Sequence, residues 1–137
     1  MFTTETKVRV RYSETDKMSY VYYGNYASYF EVGRVEALRG LGLSYRKMEE
    51  SGIMLPVLEY KVKYFKPALY DDLLTIKTII PQLPSVRIVF QYEIFNEEGV
   101  LLTNAETTLV FIDMATGKPR KCPDELLLNL QPFFTGS

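Results

Sequence analysis

The hydrophobic period of this 137-residue chain changes twice, and that change constrains its fold more than any other feature. Residues 5–12 (ETKVRVRY) alternate, with Val8 and Val10 on one face and Lys7, Arg9 and Arg11 on the other. That is the pattern of a half-buried strand. From Asn25 the apolar or small residues fall instead at Tyr26, Tyr29, Phe30, Gly33, Ala37, Leu38 and Leu41, the stripe of an amphipathic helix. After residue 53 the chain reads as strands again, at 54–66, 72–80, 85–96 and 99–113. One long helix lies between one strand and four.

The punctuation agrees with that order. Gly40 and Gly42 suit the end of the helix, and Ser44 suits the cap of a short second helix that stops near Gly52. Pro67, Asp71-Asp72, Pro81-Gln82-Leu83-Pro84 and Asn96-Glu97-Glu98-Gly99 supply turns at antiparallel-hairpin spacing. Residues 123–130 (PDELLLNL) read as a short final helix. The expectation is an α+β layer, a five-stranded antiparallel sheet wrapped around one helix, as a single domain over 1–137. Gly33 and Ala37 on the helix stripe would let the sheet approach closely. Five strands leave two open edges, so a homo-oligomer is expected.

Composition removes many chemistries. With no His, there is no Ser-His-Asp or Cys-His nucleophile and no His metal ligand. One cysteine, Cys122, excludes an internal disulfide and a cysteine-cluster metal site, and fits a reducing compartment. No metal site is expected. A net charge of −1 offers no global basic field to nucleic acid. Met1 to Val10 alternates charge with β-branched residues, unlike a secretory leader, and no apolar run approaches the ~20 residues of a membrane span. The expected location is the cytoplasm.

What remains is chemistry on carboxylates, Lys, Tyr, hydroxyls and backbone dipoles. The segment from Arg11 to Tyr26 places Asp16 in a loop, seven to nine residues before a helix start, among Tyr20, Tyr22, Tyr23, Tyr26 and Tyr29. A helix start offers free N–H groups and a partial positive charge. The amides of Tyr23 and Gly24 could polarise a carbonyl there, each donor contributing about 3–4 kcal/mol in the transition state. An ionised Asp16 could attack that carbonyl or activate water. The same residues also fit a turn cap and a packing cluster.

The pattern Tyr12-x-Glu14-Thr15-Asp16, Val21-Tyr22-Tyr23-x-Asn25-Tyr26 and Tyr29-Phe30-Glu31-x-x-Arg34 resembles the signature of hotdog-fold thioesterases of the 4-hydroxybenzoyl-CoA thioesterase-like family. The likeness continues through Val62-x-Tyr64-x-x-Pro67-Ala68-x-x-Asp71-Asp72-x-Leu74, then Asn104-Ala105-Glu106-Thr107, Asp113 and Thr116-Gly117-Lys118-Pro119-Arg120. It implies a sheet wrapped around one helix, in a homodimer or homotetramer with active sites at the dimer interface. It implies hydrolysis of an acyl-CoA thioester to a free acid and CoA, with no cofactor beyond the CoA of the substrate. By resemblance Asp16 takes the catalytic carboxylate position and the Tyr23 backbone N–H binds the thioester oxygen, with Gly24 beside it. Asn25 and Tyr26 open the helix. Many members carry a Gly pair where this chain has Met18-Ser19, and His where it has Tyr23.

Tyr22, Asn25 and Tyr26 are expected on the substrate side. Lys118, Arg120 and Lys121, three cations in four residues, are candidates for the CoA phosphates, and Lys61, Lys63 and Lys66 are weaker ones. Glu31 is a rival carboxylate, or an i, i+3 partner of Arg34. Two other functions fit the same residues: hydrolysis of acyl carrier protein thioesters, and a non-catalytic acyl-CoA-binding module. Hotdog dehydration chemistry usually relies on His, which is missing.

Overall fold

A computed structural model describes residues 1–135. Five strands, β1 (Phe2–Arg9), β3 (Val57–Tyr64), β4 (Leu73–Ile80), β5 (Arg87–Phe95) and β6 (Leu101–Val110), form one antiparallel sheet in the order β1-β4-β5-β6-β3. A two-residue pair, β2 (Ile53–Met54) and β7 (Ile112–Asp113), stands apart. The long helix α1 (Tyr26–Gly40) lies against the sheet, and α2 (Tyr45–Glu50) and α3 (Asp124–Leu130) are short. This is the α+β hotdog architecture that the resemblance implied.

All seven positions of the helix stripe are buried. They pack on the inner residues of β4 and β5, among them Leu74, Ile76, Ile88, Phe90 and Tyr92. Gly33 marks the closest approach: a Cβ built there would lie 2.5 Å from Thr78 Oγ1 and 3.0 Å from Ile76 Cγ2. The small residue on the stripe is therefore a steric requirement of the sheet crossing. Ser44 caps α2, its Oγ accepting the Lys47 N–H at 3.1 Å, and Gly42 and Gly52 follow the two helices with φ of +84° and +80°.

Three expectations need correction. The first strand starts at Phe2 and ends at Arg9, because Tyr12–Glu14 turns into a short 3-10 helix. The 99–113 strand breaks after Val110 into β6 and β7. The third concerns the segment between β3 and β4, which is no hairpin. β3 pairs with β6 and β4 with β1, so residues 65–72 cross from one side of the sheet to the other. The crossing passes the start of α1, where Ala68 N–H donates to the Tyr26 hydroxyl at 3.2 Å and Val21 N–H donates to Ala68 O at 2.8 Å. Among the described residues no helix is long and apolar enough to cross a membrane.

Candidate active site

Residues 14–22 form a small hairpin. Asp16 N–H donates to Tyr20 O at 2.8 Å, Tyr22 N–H donates to Glu14 O at 2.9 Å, and Thr15 pairs with Val21. Asp16 Oδ1 fixes the tip by accepting the N–H of Met18 at 2.8 Å and of Tyr20 at 3.3 Å. Ser19 adopts φ +65°, a left-handed conformation that glycine takes without strain. A glycine at position 19 would therefore have a conformational reason. This chain meets the same demand with Ser19, held by its N–H to Asp16 O at 3.0 Å.

The helix start comes next. Tyr22 is extended (φ −61°, ψ 130°), and a 3-10 turn at Tyr23–Asn25 runs straight into α1. The helical run thus opens one turn earlier than Tyr26. Asn25 N–H donates to Tyr22 O, but the N–H groups of Tyr23 and Gly24 donate to no acceptor among the described residues. They are the free donors of a helix N-terminus. A Cβ on Gly24 would sit 2.7 Å from the Tyr22 ring, so that ring lies over the glycine.

Asp16 and Tyr23 line one cleft of about 330 Å³, together with Tyr20, Tyr26, Tyr64 and Lys66. Four tyrosines and Phe65 make its walls mainly aromatic. The Tyr26 and Tyr64 rings meet edge to face at 5.1 Å, and the Tyr64 hydroxyl approaches Tyr23 O at 3.4 Å. Tyr22 stacks obliquely on Tyr23 at 4.8 Å, outside the cleft wall. Tyr26 is buried and offers the cleft its ring, since its hydroxyl holds the crossing segment. Asn25 is turned to structural use: its Nδ2 donates to Glu14 O at 2.9 Å.

The structure does not bring Lys118, Arg120 and Lys121 to this cleft within one chain. Tyr64 pairs with Thr103 at one end of β6, whereas the cations follow the other end, with Arg120 N–H donating to Phe111 O. At the rise of a strand the eight residues from Thr103 to Phe111 span about 26 Å. Lys61 and Lys63 border a larger hollow of about 590 Å³ on the outer sheet face, with Glu93, Glu106 and Gln91. There Gln91 Nε2 donates to Glu106 Oε1 across the strands, and Lys61 lies 4.0 Å from Glu59 along its own. Glu31 lies outside the Asp16 cleft, beside a separate recess of about 140 Å³ with Phe30, Arg34 and Tyr60. It forms no ion pair with Arg34 among the described residues. Arg34 is buried on the helix stripe instead, its Nε–H donating to the Tyr45 hydroxyl at 3.0 Å. Cys122 is buried, and burial with the nearby Asp124 charge pushes its thiol up, away from thiolate.

Glu14 is the residue whose part the motif alone did not reveal. Its carboxylate takes four hydrogen bonds, from Arg11 N–H, Arg11 Nε, Arg11 Nη2 and the Tyr29 hydroxyl. Burial pushes the carboxyl up, but the bonds from Arg11 and Tyr29 outweigh it and hold it below the ordinary glutamate value. Burial first, and then the Glu14 charge, push the Tyr29 hydroxyl up, so it stays a donor. A depressed folded value adds stability above the unfolded value and loses it as pH falls through the folded one. Thermal unfolding of wild type and Glu14→Gln should therefore differ most near neutral pH. The gap should shrink as pH falls from about 6 to about 3, and a constant gap excludes this ionisation as its source.

The profile of the thioesterase-like superfamily matches residues 10–130. The acyl-CoA thioester hydrolase YbgC of Escherichia coli is 34% identical over 124 residues, covering 90% of this chain and 92% of its own. The 1,4-dihydroxy-2-naphthoyl-CoA hydrolase of Thermosynechococcus vestitus is 29% identical over 119 residues, covering 85% of this chain and 81% of its own. Among solved structures, a DHNA-CoA thioesterase from Staphylococcus aureus superposes with a TM-score of 0.84 at 40% identity, over 98% of this chain and 85% of its own. A carboxylate loop facing a helix start on a hotdog sheet thus coincides with a match across most of the chain, and the chain belongs to the thioesterase-like superfamily.

Proposed function

We propose that this protein hydrolyses acyl-CoA thioesters. The observation that carries the reading is one cleft bounded by both an exposed carboxylate, Asp16, and the residue that begins the helix, Tyr23. The thioester oxygen accepts from the Tyr23 and Gly24 N–H groups, where the dipole of α1 stabilises the negative charge that develops. Asp16 either attacks the carbonyl carbon or takes a proton from the water that does. In sum a C–O bond forms from water, the C–S bond breaks, and the sulfur leaves as CoA thiol with the proton. The reaction needs no cofactor. Tyrosine walls and the likeness to a DHNA-CoA thioesterase favour an aromatic acyl group.

The working unit is a homo-oligomer built on β3, in the cytoplasm. β3 is the sheet edge beside the cleft, and it leaves Val57, Leu58, Tyr60 and Tyr64 exposed at 42–48%. An open strand edge is a template for another strand, and a second copy supplies one. CoA phosphates then meet cations near the cleft, such as Lys66, or Lys118, Arg120 and Lys121 of a second subunit.

The test is thiol release from a panel of aliphatic and aromatic acyl-CoA thioesters, with the same acyl groups on acyl carrier protein. Turnover should be highest for an aroyl-CoA and slower on carrier protein. Tight binding of every CoA ester without thiol release would mark a binding module instead, and faster release from carrier protein would move the substrate there.

A further inference from the structure

We propose that Glu14 is the positioning residue that holds the Asp16 carboxylate and the Tyr23–Gly24 amides in register with each other. The inference rests on the reading of those groups as the reacting ones. Its basis is that one residue, two positions before Asp16 in the same hairpin, is hydrogen-bonded both to the turn that presents the amides and to the helix beneath it.

The Glu14 carbonyl oxygen accepts two donors, Tyr22 N–H at 2.9 Å and Asn25 Nδ2 at 2.9 Å. Those two residues bracket Tyr23 and Gly24, so a single oxygen fixes both ends of the turn that presents the amides. Two residues along the chain, Asp16 continues the same hairpin through its bond to Tyr20 O. A displacement of Glu14 therefore shifts the hairpin that carries Asp16 against the turn at the start of α1 that presents the amides.

The side chain sets where that hairpin sits. Glu14 Oε1 accepts the Tyr29 hydroxyl at 2.8 Å and the Arg11 N–H at 2.9 Å, and Oε2 accepts Arg11 Nη2 at 2.9 Å and Nε at 3.2 Å. Only 13% of the side chain is exposed. Tyr29 is buried on the first turn of α1, and its ring meets Tyr26, which lines the cleft. The bond from Tyr29 thus anchors the loop to an element that the core already holds rigid. Glu14 itself does not line the cleft, so it acts through its neighbours and does not touch substrate. Reacting groups tolerate little displacement, about 1 Å costing up to a hundredfold in rate.

The experiment compares Glu14→Ala, Glu14→Gln and Tyr29→Phe with wild type in the full chain, on the best acyl-CoA of the panel. It measures kcat, KM, thermal unfolding and affinity for a non-hydrolysable thioether analogue. The expected loss in kcat is about a hundredfold for Glu14→Ala, less for Glu14→Gln and about three- to tenfold for Tyr29→Phe. KM and analogue affinity stay within about twofold, because the binding surface is intact. In the Asp16→Asn background Glu14→Ala costs far less than in wild type, since the group it aims is gone. A purely structural part would lower the unfolding temperature and leave kcat per folded molecule unchanged, and that result overturns the proposal. So does an equal loss in the Asp16→Asn background. If Glu14→Ala does not fold, Glu14→Gln and Tyr29→Phe decide. Wild-type protein without turnover overturns both readings. Active wild type, silenced by Asp16→Asn but indifferent to Glu14 and Tyr29, overturns this one alone.

Discussion

Asp16→Asn is expected to lower kcat by about two to four orders of magnitude while the hairpin around it survives. The substitution separates two uses of one side chain. Asn keeps the carbonyl oxygen that accepts Met18 N–H at 2.8 Å and Tyr20 N–H at 3.3 Å, so the tip of the loop stays formed. It removes the negative charge and the basic oxygen, which both proposed routes need. Nucleophilic attack requires the carboxylate as the attacking group, and general-base catalysis requires it as the proton acceptor. The amides of Tyr23 and Gly24 remain, so a residual rate above that in water persists. Asp16→Ala should lose the turn bonds as well and unfold at lower temperature than Asp16→Asn. Glu31→Gln is the contrast: Glu31 borders a different recess, so its loss should leave kcat near wild type. Steady-state thiol release on purified Asp16→Asn and Glu31→Gln measures the two rates, and thermal unfolding compares the two Asp16 variants. Turnover of Asp16→Asn within about threefold of wild type removes Asp16 from the chemistry.

The parts of this fold that were legible are those set by local period. The seven stripe positions from Tyr26 to Leu41 recur at helical spacing, and each is buried because one helix face must meet the sheet. Strand segments after residue 53 were legible for the same reason. Order across the sheet was not, because pairing is a long-range choice. Val57–Tyr64 reads as a strand like the others, yet it pairs only with β6 and forms an edge. That one fact places the cations after β6 at the far end of the sheet from Asp16 and removes them from the cleft of their own chain. Adjacent positive charge in a sequence says nothing about which end of a sheet it occupies. The Glu31–Arg34 pair, expected from i, i+3 spacing, fails for a different reason: the stem of Arg34 lies on the apolar stripe and the Tyr45 hydroxyl satisfies its Nε. The site was legible as a motif, with Asp16 and Tyr23 brought to one cleft. Glu14 stood in that motif without a role, because its four side-chain bonds come from residues three and fifteen positions away.

Two glycines of α1 should respond to a side chain with opposite sign. Gly33→Val is expected to destabilise the fold by about 3 kcal/mol, a large fraction of a domain's stability. A Cβ at Gly33 already lies 2.5 Å from Thr78 Oγ1 and 3.0 Å from Ile76 Cγ2, and valine adds two methyl groups to that contact. Both neighbours are fully buried on β4, between β1 and β5, so the strand cannot retreat. The helix must lift instead, which separates Phe30 and Ala37 from the sheet. Thr78 Oγ1 has no hydrogen-bond partner among the described residues, so a rotation of that side chain relieves part of the clash of Gly33→Ala, which should cost less. Gly40, seven residues on, has nothing within 4 Å of a built Cβ and lies at the exposed end of the same helix. There Gly40→Ala removes unfolded-state freedom without a contact and should stabilise by about 0.5 kcal/mol. Denaturant unfolding of the two variants measures both signs. A Gly33→Val protein as stable as wild type would mean that the helix does not cross the sheet at Gly33.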